Sequence, residues 1–431
     1  MNSTTTNRST AQQIHQLRKN GQLSEAYQMG KTEYTERPEE EGLKDALGWS
    51  VWALMRKSIA DDQLEQALLH WEECIALTEN EMLSTQLAWN AYKLLQTLKA
   101  MGAHRPAGLL GKVFSLLEKT PYQKREQVHG YLLNAFLGLE SVSEQEVLSA
   151  LPVFSWDAFK KEDAAKYHNN GKVFPGALER WVYLVCKSLG KLHAQHPEEV
   201  RPLVEALIRR MVSLEDWACS WDFYHYKLAQ LHLLLGQGVE ARKSALAFLP
   251  KKSSEYWAWQ LLANTFERDS EQREQVLLYA YTNFRGEAAF TLGLLKDLGG
   301  IYYRKKQYAT AKFFFEKNLD IREKAGYPTD RWREKLQEIP DYDVLAAIAP
   351  TEDHLKTCAE FSEKVSKQSM EQRKFKGQFR KHAKGFGFVD DIFVPTKKAN
   401  RLLNEQTVKG MARKSWDSRK SCWGWLATKV Y

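Results

Sequence analysis

No stretch of this 431-residue chain is apolar for long enough to cross a membrane, and its first residues, MNSTTTNRST, hold no hydrophobic run of the secretory kind. The expectation is a cytoplasmic protein with no membrane contact. Cysteine is sparse. Cys74, Cys186, Cys219, Cys358 and Cys422 are scattered and odd in number, with no C-x-x-C and no histidine at metal-ligand spacing. That pattern argues against a zinc site or a disulfide framework and for reduced, partly buried thiols.

The usual catalytic signatures are also missing. There is no G-x-x-x-x-G-K-[ST] loop to cradle phosphates, no H-E-x-x-H and no G-x-S-x-G elbow. The expectation is therefore no enzyme, no cofactor and no metal. Three weaker candidates have plainer explanations. Glu39, Glu40 and Glu41 follow Pro38, where acidic residues suit a helix start. Asp341 and Asp343 lack the lysine and further acid of a nuclease set and read as a turn. His225 and His232, seven apart on one helical face, read as packing residues.

What the chain does have is unevenly placed charge. Its net charge is +8, yet residues 371–431 hold ten Lys and five Arg against two Glu and three Asp. That segment alone carries +10 and the remainder −2, which marks an electrostatic specialisation of the C-terminal sixty-one residues.

The remainder is helical in pattern. In LKDLGGIYYRKKQYATAKFFFEKNLDI, Leu295, Leu298, Gly299, Tyr302, Tyr308, Ala311 and Phe315 fall where a tetratricopeptide repeat places its large and small residues. Gly299 and Ala311 would let two helices approach, with the aromatic rings filling the space around them. Similar spacing recurs at Trp259, Leu262, Ala263 and Phe266, at Leu228, Ala229, Gly236 and Ala241, at Gly21, Leu23 and Ala26, and at Leu64, Ala67 and Trp71. Between about Asn80 and Leu214 helical periodicity persists without that signature, and residues 151–181 read as an irregular connection. The expected organisation is a flexible 1–10, helical arrays over 11–150 and 151–345, and a helix with Thr351 as N-cap plus a linker over 346–372. The abundant Trp and Tyr read either as repeat core or as the lining of a concave groove for a protein partner.

Beyond the linker the period changes to two. KFKGQFRKH, AKGFGFV, DIFVP, TVKGMARKSW and SCWGWLATKV read as five strands, with a tight hairpin at Asp390 and Asp391 and a longer excursion, TKKANRLLNEQ, after the third. The fold class is thus mainly α: an α-solenoid of degenerate tetratricopeptide-like helix pairs, followed over 373–431 by a small five-stranded Greek-key barrel of the OB type. Alternation along a strand sends Phe386 and Phe388 to one face and Val389 to the other; Phe393 joins the aromatic face while Ile392 and Val394 fill the barrel.

Lys384-Gly-Phe-Gly-Phe-Val389 followed by Asp391-Ile-Phe-Val394 resembles the paired ribonucleoprotein motifs of cold-shock domains and of the cold-shock-like domains of ribonuclease II-type enzymes. The resemblance implies single-stranded RNA or DNA binding. It places Phe379 where the family has a stacking tryptophan, which would make a four-ring platform of Phe379, Phe386, Phe388 and Phe393. Lys376, Arg380, Lys381, Lys384, Lys397 and Lys398 would contact phosphates, and the glycines would leave room for bases to lie flat. Pro395 stands where cold-shock domains usually have a stacking histidine, and the second hairpin loop is shorter, departures that bear on affinity. Trp416, Trp423 and Trp425 fit barrel core, binding edge or domain interface equally well.

Helical repeats with a terminal cold-shock-like module resemble accessory proteins of bacterial TOTE-type conflict systems. The expected function is accordingly an adaptor in antiphage or mobile-element defence that binds single-stranded nucleic acid through the barrel and a protein partner through the repeats. The alternatives are a purely protein-binding scaffold and a nuclease with an unfamiliar site.

Overall fold

The computed structural model describes every residue except 1–8, 41, 78–79, 123–126, 219–220, 369–371 and 418–421. The flexible N-terminus and the centre of the linker expected from sequence fall largely on these, outside the described residues. The chain forms two compact units, Met1–Leu203 with Val212–Cys219, and Val204–Met211 with Ser220–Tyr431. This division lies further along the chain than the break expected at 151.

The first unit is built from α1 (Thr10–Lys19), α2 (Leu23–Glu36), α3 (Leu43–Ala60), α4 (Leu64–Leu77), α5 (Glu81–Met101), α6 (Leu109–Lys119), α7 (Gln127–Leu137) and α8 (Glu144–Ala150), then a hairpin of β1 (Tyr167–Asn169) and β2 (Lys172–Phe174), then α9 (Ala177–His193). Caps fix several starts. Ser9 and Gln12 form a capping box on α1, Ser143 and Glu146 another on α8, and Asn80 accepts from the Met82 and Leu83 N–H groups of α5. Each odd-numbered helix packs on the next odd one from α1 to α9, while α4 packs on α6 and α6 on α8. The residues expected to form an irregular connection hold the hairpin instead. Asn170 and Gly171 both take positive φ, 49° and 73°, the geometry that an Asn-Gly two-residue turn supplies to paired strands. Both strands are exposed along almost their whole length, so no buried face imposes an alternation on their sequence.

After α10 (Pro197–Ser213) and the short α11 (Glu215–Ala218), the second unit runs through α12 (Tyr224–Leu234), α13 (Gly238–Phe248), α14 (Tyr256–Ala263), α15 (Glu271–Thr282), α16 (Leu292–Arg304), α17 (Tyr308–Lys324), α18 (Asp330–Gln337) and α19 (Glu352–Gln368). Four helix pairs turn in the same way. Gly21, Asp62, Gly236 and Lys306 each take positive φ two residues before the second helix of a pair. Each is followed by a glutamine, Gln22, Gln63, Gln237 or Gln307, whose N–H closes on a carbonyl five residues back and whose carbonyl accepts from the N–H of a fully buried alanine, Ala26, Ala67, Ala241 or Ala311. The left-handed residue satisfies the first helix's last carbonyls, and the alanine lets the second helix lie close. Gly299 performs the same service in α16: a Cβ there would sit 2.4 Å from Cε1 of Phe315 on α17.

A buried carboxylate ties α19 to this core. Glu274 on α15 accepts from the Tyr302 hydroxyl at 2.7 Å, from His354 Nε2 on α19 at 3.1 Å, and from Lys305. His354 in turn follows Thr351, whose hydroxyl caps α19 by accepting the His354 N–H. Among the described residues no helix is long and apolar enough to cross a membrane.

The chain ends in a closed barrel of β3 (Gln372–Lys381), β4 (Gly387–Val389), β5 (Ile392–Val394), β6 (Thr407–Asp417) and β7 (Cys422–Val430), ordered β3-β4-β5-β7-β6, with the one-turn α20 (Thr396–Ala399) between β5 and β6. The five strands, their order and the single parallel pair β5–β7 are those of an OB or cold-shock barrel. Its core is Phe379, Val389, Ile392, Val394, Val408, Ala412 and Ala427, closed at one end by Ala399 and Leu402.

Candidate nucleic-acid interface

Pairing across the barrel decides which side chains share a face. In β3 the even positions Lys374, Lys376, Gln378 and Arg380 are exposed. Arg380 pairs with Phe388 and Phe388 with Phe393, so these three project together from the outer surface. Phe379 pairs with Val389, and Val389 with Ile392, the inward set.

Phe386, Phe388 and Phe393 form one half-buried cluster. Their ring centroids lie 5.4 Å apart for Phe386 and Phe393, 5.6 Å for Phe388 and Phe393, and 5.9 Å for Phe386 and Phe388. The two strands bring them together through the hairpin expected at Asp390 and Asp391, where Asp390 adopts φ 53°.

Phe379 does not join them. It is fully buried, and Gly387 is what lets it in: a Cβ at 387 would meet Phe379 Cε2 at 2.3 Å. The glycine expected to clear space for a base clears space for a core ring. Gly410 is related in the same way to Phe375, whose Cζ would lie 2.8 Å from an added Cβ. A barrel this narrow accommodates large inward rings only opposite residues without side chains.

The fourth ring of the surface is His382, which sequence reasoning missed. The exposed imidazole stacks on Phe386 with centroids 4.3 Å apart and planes 7° from parallel. The Lys384 N–H donates to His382 Nδ1 at 3.2 Å, which helps hold the ring against Phe386. The tight loop that places it is closed by His382 N–H to the Phe386 carbonyl at 2.7 Å and by Gly385 at φ 84°. The available signal was its position at the end of the first strand, flanked by Lys381 and Lys384, rather than any motif. Pro395, the departure from the cold-shock pattern noted in the sequence, precedes α20 and begins its turn.

The cations divide. Lys376, Arg380 and Lys384 are exposed on β3 and the β3–β4 loop; Lys374 and Lys409, the latter paired with Lys376, extend that basic surface. Lys397 is exposed and Lys398 half-buried, both on α20. Lys381 is exposed as well, and its ammonium donates to the Leu402 carbonyl at 3.3 Å. Trp425 is packed against the barrel core, beneath the Arg373 guanidinium at 4.1 Å; Arg373 also pairs with Asp391. The Trp416 and Trp423 side chains lie outside the described ones.

Chemically, the surface offers flat apolar rings edged by ammonium and guanidinium groups. That combination suits unpaired bases strung on phosphates, each base stack being worth about 1–3 kcal/mol.

No curated protein matches the chain. Residues 222–361, from α12 into α19, match a domain of unknown function, DUF7017. Residues 373–430, which are the barrel, match S1/CSD-like domain 2 of the TOTE conflict systems.

Proposed function

We propose that this protein is a non-enzymatic adaptor whose barrel binds single-stranded nucleic acid and whose helical pairs bind a protein partner within a TOTE-type defence system. The observation that carries the reading is the clustering of His382, Phe386, Phe388 and Phe393 on one face of a barrel of the TOTE S1/CSD-like class, inside the basic segment. The repeated left-handed turn followed by Gln and a buried Ala supports reading the helical pairs as tetratricopeptide-like units stacked in a solenoid, an architecture that offers a concave surface to a partner.

The test is fluorescence anisotropy of a labelled single-stranded oligonucleotide with the full chain and with Phe386→Ala/Phe388→Ala. The double variant should lose most of the affinity while keeping its thermal transition. Equal binding by both proteins would remove the barrel face as the site.

A further inference from the structure

The helical part of the second unit contains a cleft of about 880 Å³ between the α14–α15 turn, α16 and α18. Its walls differ in chemistry. One carries Arg268 and Arg273, five apart across the start of α15, and Lys296 and Arg304, eight apart and so on one side of α16. The other, α18 with the residue that follows it, is mixed: Asp330, Glu334 and Glu338 stand among Arg331 and Lys335, beside the half-buried ring of Trp332.

The basic wall is only partly neutralised. Arg304 donates to Asp269 at 2.5 Å, and Arg273 reaches Asn264 at 3.0 Å and Asp297 at 4.0 Å. Asp297 is itself shared, since it accepts from Gln260 at 3.3 Å. Among the described residues Arg268 and Lys296 have no ion pair, so two positive charges stay uncompensated beside a half-buried guanidinium. Burial, followed by Arg304 and Arg268, lowers the Arg273 pKa against the opposing pull of Asp297. Mutually repelling cations held by a folded scaffold are stabilised by whatever anion enters between them.

We infer that this cleft binds a phosphate-bearing small molecule of nucleotide size, with its phosphates on Arg268, Arg273, Lys296 and Arg304 and its ring on Trp332. Three features favour that class. A phosphate group concentrates up to two charges where two cations are unmatched. Trp332 is held by Arg322, whose guanidinium carbon lies 5.0 Å from the ring centroid, and by Phe315 at 6.2 Å, so its half-buried ring is a preset aromatic wall for a base to lie against. Asp330 and Glu334 can accept from sugar hydroxyls or exocyclic amines. The volume lies within the range of small-ligand sites.

This site is separate from the barrel, and calorimetric titration of the full chain can keep the two apart. The ligands are ATP, pyrophosphate and citrate. The proteins are wild type, Arg268→Gln/Lys296→Gln, Trp332→Phe and the barrel variant Phe386→Ala/Phe388→Ala. Arg268 and Lys296 are exposed and unpaired, so their replacement should leave the melting temperature unchanged. The expected result is saturable binding of ATP and pyrophosphate, weakened about tenfold in Arg268→Gln/Lys296→Gln and unaltered in the barrel variant. Trp332→Phe should weaken ATP and spare pyrophosphate. The inference is overturned if neither phosphate ligand saturates, if Arg268→Gln/Lys296→Gln binds as wild type does, or if citrate binds as tightly as pyrophosphate.

Discussion

The Phe379 ring occupies the space that any side chain at position 387 would need: an added Cβ would lie 2.3 Å from the ring and 2.5 Å from the Arg380 carbonyl. Gly387 is therefore a core position on a strand whose next residue, Phe388, faces out. Gly387→Ala should destabilise the barrel by about 1–3 kcal/mol or more, because both obstacles belong to a closed sheet that has little room to yield. Phe379→Ala should cost about 3–5 kcal/mol through the cavity it leaves. Phe388→Ala, at the half-buried surface, should cost far less stability. Urea titrations of the three variants, followed by barrel tryptophan fluorescence, would show the order; a Phe388→Ala loss as large as that of Phe379→Ala would mean the two rings were assigned to the wrong faces.

His382 should matter for binding rather than for folding. It is exposed and lies flat on Phe386, so an incoming base meets the imidazole before it meets that phenylalanine. Removing one stacking ring is worth about 1–3 kcal/mol, so His382→Ala should raise the oligonucleotide dissociation constant by about 5- to 150-fold. Anisotropy reads the affinity, and an unchanged melting temperature separates this from a structural loss.

Salt dependence should distinguish the cations. With Lys376, Arg380, Lys384 and Lys397 on phosphates, log affinity should fall against log salt with a slope of about −3, at roughly −0.7 per contact to a single strand. Arg380→Ala should make that slope shallower by about 0.7. Lys381→Ala should change it less, since the Lys381 ammonium is drawn towards the Leu402 carbonyl. Equal effects of the two substitutions would contradict this division.

His225 should make the second unit acid-sensitive. Burial, and then Lys251, hold its pKa down at about 4. In the unfolded chain the imidazole titrates near its ordinary value of about 6.5. Above that value neither state carries the proton and the full stability is present. As pH falls from about 6.5 towards 4, the unfolded chain gains a proton that the folded chain refuses, and about 3 kcal/mol of stability is lost by the acid end of the window. His225→Gln should flatten the urea midpoint across that range. If the variant loses as much stability as wild type between pH 7 and pH 4.5, another group is responsible.

Much of the barrel was legible because strands announce themselves by alternation and turns by composition. The five strands, the Asp390–Asp391 hairpin and the excursion before β6 were all placed from residue pattern. So were Phe386, Phe388 and Phe393 on one face, since all three lie in or beside two strands joined by a two-residue turn. The helical pairs were legible where large and small residues such as Leu64, Ala67 and Trp71, or Leu298, Gly299 and Ala311, recur at fixed offsets. The hairpin at Asn170–Gly171 was not, because its exposed strands have no buried face to impose an alternation. Nor was the hold on α19, which depends on Glu274 and His354 meeting from positions eighty residues apart.

By itself, then, the sequence determined the period of each segment, the uneven charge and the identity of the residues that could stack. Which face of β3 points inward was decided only by tertiary structure. Alternation says that Phe379 and Arg380 face oppositely, but not which one is inside. Closure of the sheet sets that choice: the Phe379–Val389 pairing turns Phe379 into the barrel against Gly387, and the loop closed by Gly385 brings His382 onto Phe386 in its place.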